Sequence, residues 1–301
     1  NIWGDLEQDT YRRDFTVNAL YYCPISQKIV GHKDGMKHIH EKSIVSIGDP
    51  VKRFSEDPVR SLRAIRFSNK LDFKIDKDIK EAIYEKGHLL SDISNARLFD
   101  EFCKIFLSGM AEKNFNKLSS YGLSKYLIST DSERSEFTRN LIVESLRNTD
   151  KRLINGQSIT PGFLIAALLW PGLIERSLSK GEINLRKFFR SMDYVLRNQQ
   201  KITAVPRKFQ SYIKDIWVLQ LKLHSRIGKQ PYKTLKHPRF RAAYDLLLLR
   251  ERATNKKQDL GKWWTDFQKN DENIKKALIN DLKEKNMQET PKIFGFSEEL
   301  R

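Results

Sequence analysis

The chain has 301 residues, 39% of them hydrophobic and 31% charged, and a formal net charge of +17. That length allows one large or two ordinary domains with a real core, and the positive excess points to a polyanionic partner, nucleic acid above all. No run of 18 apolar residues exists to form a bilayer-spanning helix, and two cysteines, Cys23 and Cys103, form neither a disulfide framework nor a metal-ligand spacing, which points to a reducing, cytoplasmic setting.

The first fifty residues read as mixed α/β. The run Arg12-Arg13-Asp14-Phe15-Thr16-Val17-Asn18-Ala19-Leu20 sets two arginines against one carboxylate. Its apolar residues Phe15, Val17 and Leu20 fit a strand or tight turn lying on a core. Such a carboxylate can hold a metal or steer a proton, and the arginines can grip phosphate; an ion pair at a sheet edge fits the same residues. Short strands are expected over 17–23 and 27–30 around a Pro24 turn, and another over 43–47. Between them 31–36 is a turn leading to a short helical or irregular segment.

From there helical periodicity dominates. Ser55-Glu56-Asp57-Pro58 opens the first long helix, with Asp57 as N-cap, Pro58 in the first helical position, and Val59, Leu62 and Ile65 as the buried stripe. Further helices are expected over 76–86, 95–108, 112–120, 134–148, 160–169, 184–200, 205–227, 238–253, 258–269 and 271–285. Asp57, Arg60, Arg63 and Arg66 follow one another at i,i+3, so they are neighbours on one helix surface. An acceptor beside a planar fork of donors can read a nucleobase edge, and the remaining arginines can hold phosphate; a capped helix laced with ion pairs is the simpler use of these residues. Residues 184–262 hold 20 Lys and Arg against 5 Asp and Glu, nearly the whole excess, interleaved with rings such as Phe189, Tyr194, Tyr212 and Tyr232. Each ring taken singly belongs in a helix core, whereas the cationic surface as a whole suits RNA or DNA. Arg207, Lys208, Lys233, Lys236, Arg239 and Arg241 are its candidate RNA contacts. His38-Ile39-His40 points its rings apart on a helix, and Asp76-Lys77-Asp78 reads as a surface helix cap.

The run Arg12–Leu20 resembles the RRDFTxNAL motif of the family of class II tRNA nucleotidyltransferases and bacterial poly(A) polymerases, and 56–67 resembles that family's EDxxR nucleotide-reading helix. The later stretches 148–152, 215–221 and 236–247, with Trp263-Trp264, resemble the poly(A) polymerase branch. The resemblance implies a mostly α chain: a remnant of an α/β nucleotidyltransferase head over 1–50, a helical neck with the nucleotide-binding helix over 51–150, and a basic helical RNA-binding body and tail over 151–301. It implies an adenylyltransferase that adds AMP from ATP to RNA 3′ ends, acting as a monomer with no membrane partner. Asp14 matches the family's late catalytic carboxylate, and Arg13, Asp57, Arg60, Arg63 and Arg66 match its nucleotide-binding positions. The family's Mg2+-binding Asp-x-Asp is not found upstream of Asp14, so the metal ligands are expected in a segment preceding Asn1, and the chain alone is expected to be inactive. A CCA-adding enzyme and a non-catalytic RNA-binding fragment are the alternatives.

Overall fold

The structure is a computed structural model that describes residues 5–129, 135–179, 182–254 and 259–284. It divides into two compact units, Asn1–Leu127 and Ile128–Arg301.

The first unit opens with α1 (Leu6–Arg12), capped by Asp5, which accepts from the Gln8 amide at 2.7 Å. A single helical turn, Thr16–Asn18, leads into a hairpin of β1 (Leu20–Cys23) and β2 (Lys28–Gly31), antiparallel with Leu20 opposite Gly31. Gly31 has φ +135, and a Cβ there would collide with the Ala19 carbonyl, so the end of this hairpin requires glycine. Helix α2 (Gly35–His40) and strand β3 (Ser43–Ile44) follow, and β3 pairs in parallel with β4 (Lys74–Ile75). Between those strands run α3 (Pro50–Glu56) and α4 (Val59–Leu71). Val59, Leu62 and Ile65 are fully buried, as the stripe predicts. The unit closes with α5 (Lys77–Lys86), α6 (Asn95–Phe106) and α7 (Ala111–Ser120). Asp76 caps α5 by accepting from the Asp78 amide at 3.0 Å, the cap expected of Asp-x-Asp.

Two local expectations are corrected, and one short helix is added. The strand expected from Val17 starts only at Leu20, because 16–18 turn as one helical loop. The strand expected over 43–47 is two residues long, with Ser46 joined to Phe15 by an isolated bridge. The first long helix, α4, opens after Asp57-Pro58 as expected, but Ser55 and Glu56 belong to the short helix α3, which was not foreseen; Asp49 caps α3 by accepting from the Val51 amide at 3.0 Å, with Pro50 leading its first turn.

The second unit is helical: α8 (Glu136–Ile154), α9 (Pro161–Ser177), α10 (Leu185–Ile202), α11 (Arg207–Leu223), α12 (Gln230–Leu235), α13 (Phe240–Ala253), α14 (Asp259–Lys269) and α15 (Glu272–Glu284), with a short hairpin of β5 (Leu178–Ser179) and β6 (Glu182–Ile183). Helix α9 is apolar on nearly every side, so it is buried almost throughout, with α8, α10 and α11 packed around it. Thr160 caps it and Pro161 starts it; it then runs through Pro171 to Ser177, eight residues past the expected end. The expected rings divide: Phe188, Trp217, Phe240 and Tyr244 are core, while Phe189 is 48% exposed. Trp217 Nε1 donates to the Ala166 carbonyl at 2.9 Å and Trp264 Nε1 to the Leu223 carbonyl at 2.8 Å, which pairs both buried indoles.

Candidate nucleotide site and basic surfaces

The Asp14 carboxylate is set by its backbone. Residues 14–16 pair with 45–47: the Thr16 amide donates to the Val45 carbonyl at 3.0 Å and the Ile47 amide to the Asp14 carbonyl at 3.2 Å. Phe15 is thereby sealed in the core, edge-on to Phe67 with ring centroids 5.9 Å apart. The side chain of Asp14 meets α4, where Arg60 Nε donates to Oδ1 at 3.0 Å and Arg63 Nη1 donates to Oδ2 at 2.8 Å. One helical turn separates the two arginines, so each oxygen receives its own donor. Asp14 and Arg60 keep only 10% and 13% of their side-chain surface exposed. Burial lowers the Arg63 pKa and its bonds to Asp14 raise it, with a net rise above the ordinary arginine value.

Arg12 and Arg13 do not meet Asp14, which corrects the sequence expectation. Arg13 turns back onto α1: Nη2 lies 2.8 Å from Asp9, one turn earlier, and Tyr21 joins the pair through a hydroxyl donated to Asp9. Hydrogen bonds from Tyr21 and Arg13 lower the Asp9 carboxyl below its ordinary range. The link to α3 is Arg53, whose Nη2 donates to the Arg13 carbonyl at 2.7 Å, while Arg60 Nη1 donates to the Arg53 carbonyl at 2.7 Å. Burial, then the nearby Arg60 charge, lowers the Arg53 pKa.

Asp57 does cap α4, its Oδ1 accepting from the Val59 amide at 3.3 Å, but its other oxygen accepts from Arg97 Nη2 of α6 at 2.7 Å. Arg66, a turn beyond Arg63, lies over the Phe67 ring at 4.9 Å, and its buried Nε has no hydrogen-bond partner among the described residues. The structure thus brings Asp14, Arg60 and Arg63 together, with Arg66 further along the same helix. Asp57 and Arg13 are engaged elsewhere. Of the residues not foreseen, Asp9 was findable from its i,i+4 spacing to Arg13. Arg53 is spaced i,i+3 from Glu56, which lies 3.7 Å away, but its hydrogen bonds to the carbonyls of Arg12 and Arg13 carry no local signal, and neither does Arg97, forty residues from Asp57.

Among the described residues no group of three His, Cys, Asp or Glu could hold a metal ion. Asp14, with an arginine on each oxygen, does not fit a metal in this arrangement. His38 Nδ1 pairs with Thr16 Oγ1 at 2.9 Å and His40 Nδ1 with the Met36 carbonyl at 2.7 Å. Burial, then Asp100, pushes the Cys103 thiol up to about 11, whereas a hydrogen bond from Ser26 lowers that of Cys23.

In the second unit Arg207, Lys208, Lys233, Lys236, Arg239 and Arg241 are all exposed, the first two starting α11, Lys233 on α12 and Lys236 just past its end. Lys233 and Lys236 line a 660 Å³ cavity with Lys229 and Lys276, and Arg239 and Arg241 line a separate 220 Å³ cavity. No described helix is long and apolar enough to cross a membrane.

The same fold occurs in a tRNA nucleotidyltransferase solved with a primer tRNA and an incoming ATP analogue, with a TM-score of 0.58 at 18% identity over 94% of this chain and 74% of that one. The architecture is therefore that of the tRNA nucleotidyltransferases. Three family models match in chain order: the poly(A) polymerase head domain at residues 2–45, a probable RNA and SrmB-binding site of polymerase A at 72–130, and the polymerase A arginine-rich C-terminus at 180–293. Poly(A) polymerase I of Haemophilus influenzae is 39% identical over 292 residues, 93% of this chain and 64% of that protein. A CCA-adding enzyme of Lactococcus lactis is more distant, 28% identical over 83% of this chain and 56% of its own length. The chain belongs to the poly(A) polymerase family and spans less than two thirds of the length of the Haemophilus relative.

Proposed function

We propose that this chain is the nucleotide- and RNA-holding part of a polynucleotide adenylyltransferase, which extends RNA 3′ ends with AMP from ATP without a template. The observation that carries the reading is the buried Asp14 carboxylate clamped by Arg60 and Arg63 at the start of the EDxxR helix, in a chain 39% identical to poly(A) polymerase I. In the reaction the RNA 3′-hydroxyl oxygen bonds to the α-phosphorus of ATP, the bond from that phosphorus to the β-phosphate oxygen breaks, and pyrophosphate leaves. Positioning and electrostatics supply most of the catalysis in such transfers. Arg63 spends one of its five N–H donors on Asp14 and keeps the rest for phosphate. Arg13 and Arg66 would add cationic donors along the triphosphate, and Asp14 would hold Arg60 and Arg63 in place or orient the attacking hydroxyl. The divalent metal of the family, Mg2+ in this reading, would need carboxylates other than Asp14, and among the described residues no group of three His, Cys, Asp or Glu is gathered to hold one. The basic helices of the second unit would carry RNA, mostly through its phosphates.

The Asp57–Arg97 pair favours this reading over the CCA-adding one. Each oxygen of Asp57 already accepts one hydrogen bond, from the Val59 amide and from Arg97, which fixes the carboxylate and leaves fewer lone pairs for a Watson–Crick edge. The two domain boundaries expected at residues 50 and 150 stand as part of the proposal, with the head, neck and body in that order.

Equilibrium binding of ATP and of single-stranded oligo(A) to the 301-residue chain tests the assignment. Arg63→Ala is expected to weaken ATP binding about tenfold, the loss of one charge-assisted phosphate contact, with oligo(A) affinity kept. Equal ATP binding by wild type and Arg63→Ala would remove the site from α4.

A further inference from the structure

Four elements of the second unit converge on the 220 Å³ cavity, and each brings one part of a nucleotide-recognition chemistry. Helix α8 supplies Arg152, α9 supplies Phe163, α11 supplies Tyr212, and the start of α13 supplies Arg239, Arg241 and Asp245. Asp245 is 15% exposed, accepts from Arg152 Nη1 at 3.2 Å and forms an ion pair with Arg241, whose Nε lies 3.0 Å away. One carboxylate therefore stands against three guanidinium groups, and the cavity wall keeps a positive excess. Asp245 also holds two of the three forks in place, so little side-chain freedom remains to be lost when an anion binds.

Arg239 is arranged differently. Its guanidinium carbon lies 4.8 Å from the centroid of the Tyr212 ring. Among the described residues it has no carboxylate partner, and it is exposed. A cation laid on a ring, with its N–H donors unspent, presents both a flat face and a set of phosphate donors. The volume corresponds to about seven waters at liquid density, the scale of one base or one phosphate with its hydration and too small for a duplex.

We propose that this cavity is a single-nucleotide subsite for single-stranded RNA, with a base stacked against the Tyr212–Arg239 pair and the adjoining phosphate accepting from Arg239 and Arg241. The inference rests on the polyadenylation reading for its choice of RNA. It adds a second grip, made by side chains of the second unit alone, in which stacking works alongside charge. Every base has a π-face, so the subsite accepts any sequence and discriminates single strand from duplex. An acidic peptide would satisfy the arginines and leave the ring unused.

Fluorescence anisotropy with labelled oligo(A) of about 15 nucleotides, longer than a minimal single-strand site, tests this on the whole 301-residue chain at fixed salt. Arg239→Ala and Tyr212→Ala are each expected to weaken binding at least about fivefold, the lower end of measured stacking losses. Tyr212→Phe keeps the ring and is expected to bind like the wild type. Ala242→Leu narrows the cavity without changing charge and is expected to weaken binding as well. Arg190→Ala removes the same unit charge from an exposed position on α10 and is expected to cost less than Arg239→Ala. ATP affinity stays unchanged in all five variants. Thermal melting of each variant at the wild-type temperature confirms that folding is intact; Arg239 and Arg190, both exposed, are the pair on which the comparison depends. Equal losses for Arg239→Ala and Arg190→Ala, or displacement of oligo(A) by polyglutamate as readily as by unlabelled RNA, would overturn the subsite and leave RNA binding in place. Wild-type chain that fails to bind oligo(A) would sink both the subsite and the functional reading on which it rests.

Discussion

Replacing Arg60 by methionine removes two hydrogen bonds at once, Nε to Asp14 Oδ1 at 3.0 Å and Nη1 to the Arg53 carbonyl at 2.7 Å, together with a half-exposed ion pair to Glu56 at 3.5 Å. Methionine conserves much of the aliphatic stem, so the loss is mainly polar. A hydrogen bond to a charged group contributes about 1.5–3 kcal/mol, and removing one partner of a buried pair costs about 3–5 kcal/mol when nothing else compensates. Asp14 retains Arg63, which is 29% exposed and partly hydrated, so the expected cost to the first unit is about 2–3 kcal/mol. Because the chain divides into two compact units, the assay reads the first one locally, by native-state hydrogen exchange at Leu62 and Ile65, both fully buried in α4. The slowest exchange there should speed up by roughly 30- to 140-fold, at about 1.4 kcal/mol per factor of ten. Asp14→Asn completes a double-mutant cycle, with an expected coupling of at least about 1 kcal/mol. An Arg60→Met cost below about 0.5 kcal/mol, or strict additivity with Asp14→Asn, would refute the clamp.

Arg97→Ala removes the 2.7 Å partner of Asp57 and frees one of its carboxylate oxygens, so the ratio of ATP to CTP affinity should fall; an unchanged ratio would show that Asp57 plays no part in base selection. His224 supplies a pH signature. Burial first, then Arg250 and Arg226, pushes its pKa down to about 3 from the ordinary 6.5. The unfolded chain therefore takes up a proton that the folded chain refuses. Stability of the second unit is complete above about pH 6.5 and falls as pH drops toward 3, by up to about 1.4 kcal/mol per pH unit. His224→Leu should flatten urea midpoints between pH 6.5 and 4 relative to wild type, and parallel profiles would contradict that account.

Much of the helical architecture was legible in the sequence because apolar periodicity and capping residues agree with one another. Asp76 announces α5 and caps it as expected, and Thr160, where the helix over 160–169 was expected to begin, caps α9. Asp49-Pro50 carries the same signal as Asp57-Pro58 and starts α3 in the same way, yet it falls after a strand-like stretch and reads there as a turn. Pro171 does not end α9, because the helix is held by neighbours on all sides and tertiary packing outweighs the local penalty. At the site the sequence marks the residues and misassigns their partners. Arg12-Arg13-Asp14 looks self-contained, but an extended backbone at Arg13 turns its neighbours to different sides. The carboxylate finds its arginines 46 and 49 residues further on. Arg97 and the carbonyl partners of Arg53 were invisible for the same reason, since pairing across such separations is set by the packing of α3, α4 and α6.

The central claim is adenylate transfer with Asp14 in the site. It is tested most directly by joining this chain to the segment of the Haemophilus influenzae relative that precedes its match, and offering an RNA primer with each of the four nucleoside triphosphates and magnesium. The account predicts extension with ATP, at least about 100-fold faster than with CTP, and loss of that extension by at least about 100-fold in Asp14→Ala, the scale of a lost electrostatic or acid–base group. Efficient C addition to a tRNA end, or undiminished A addition by Asp14→Ala, would contradict it.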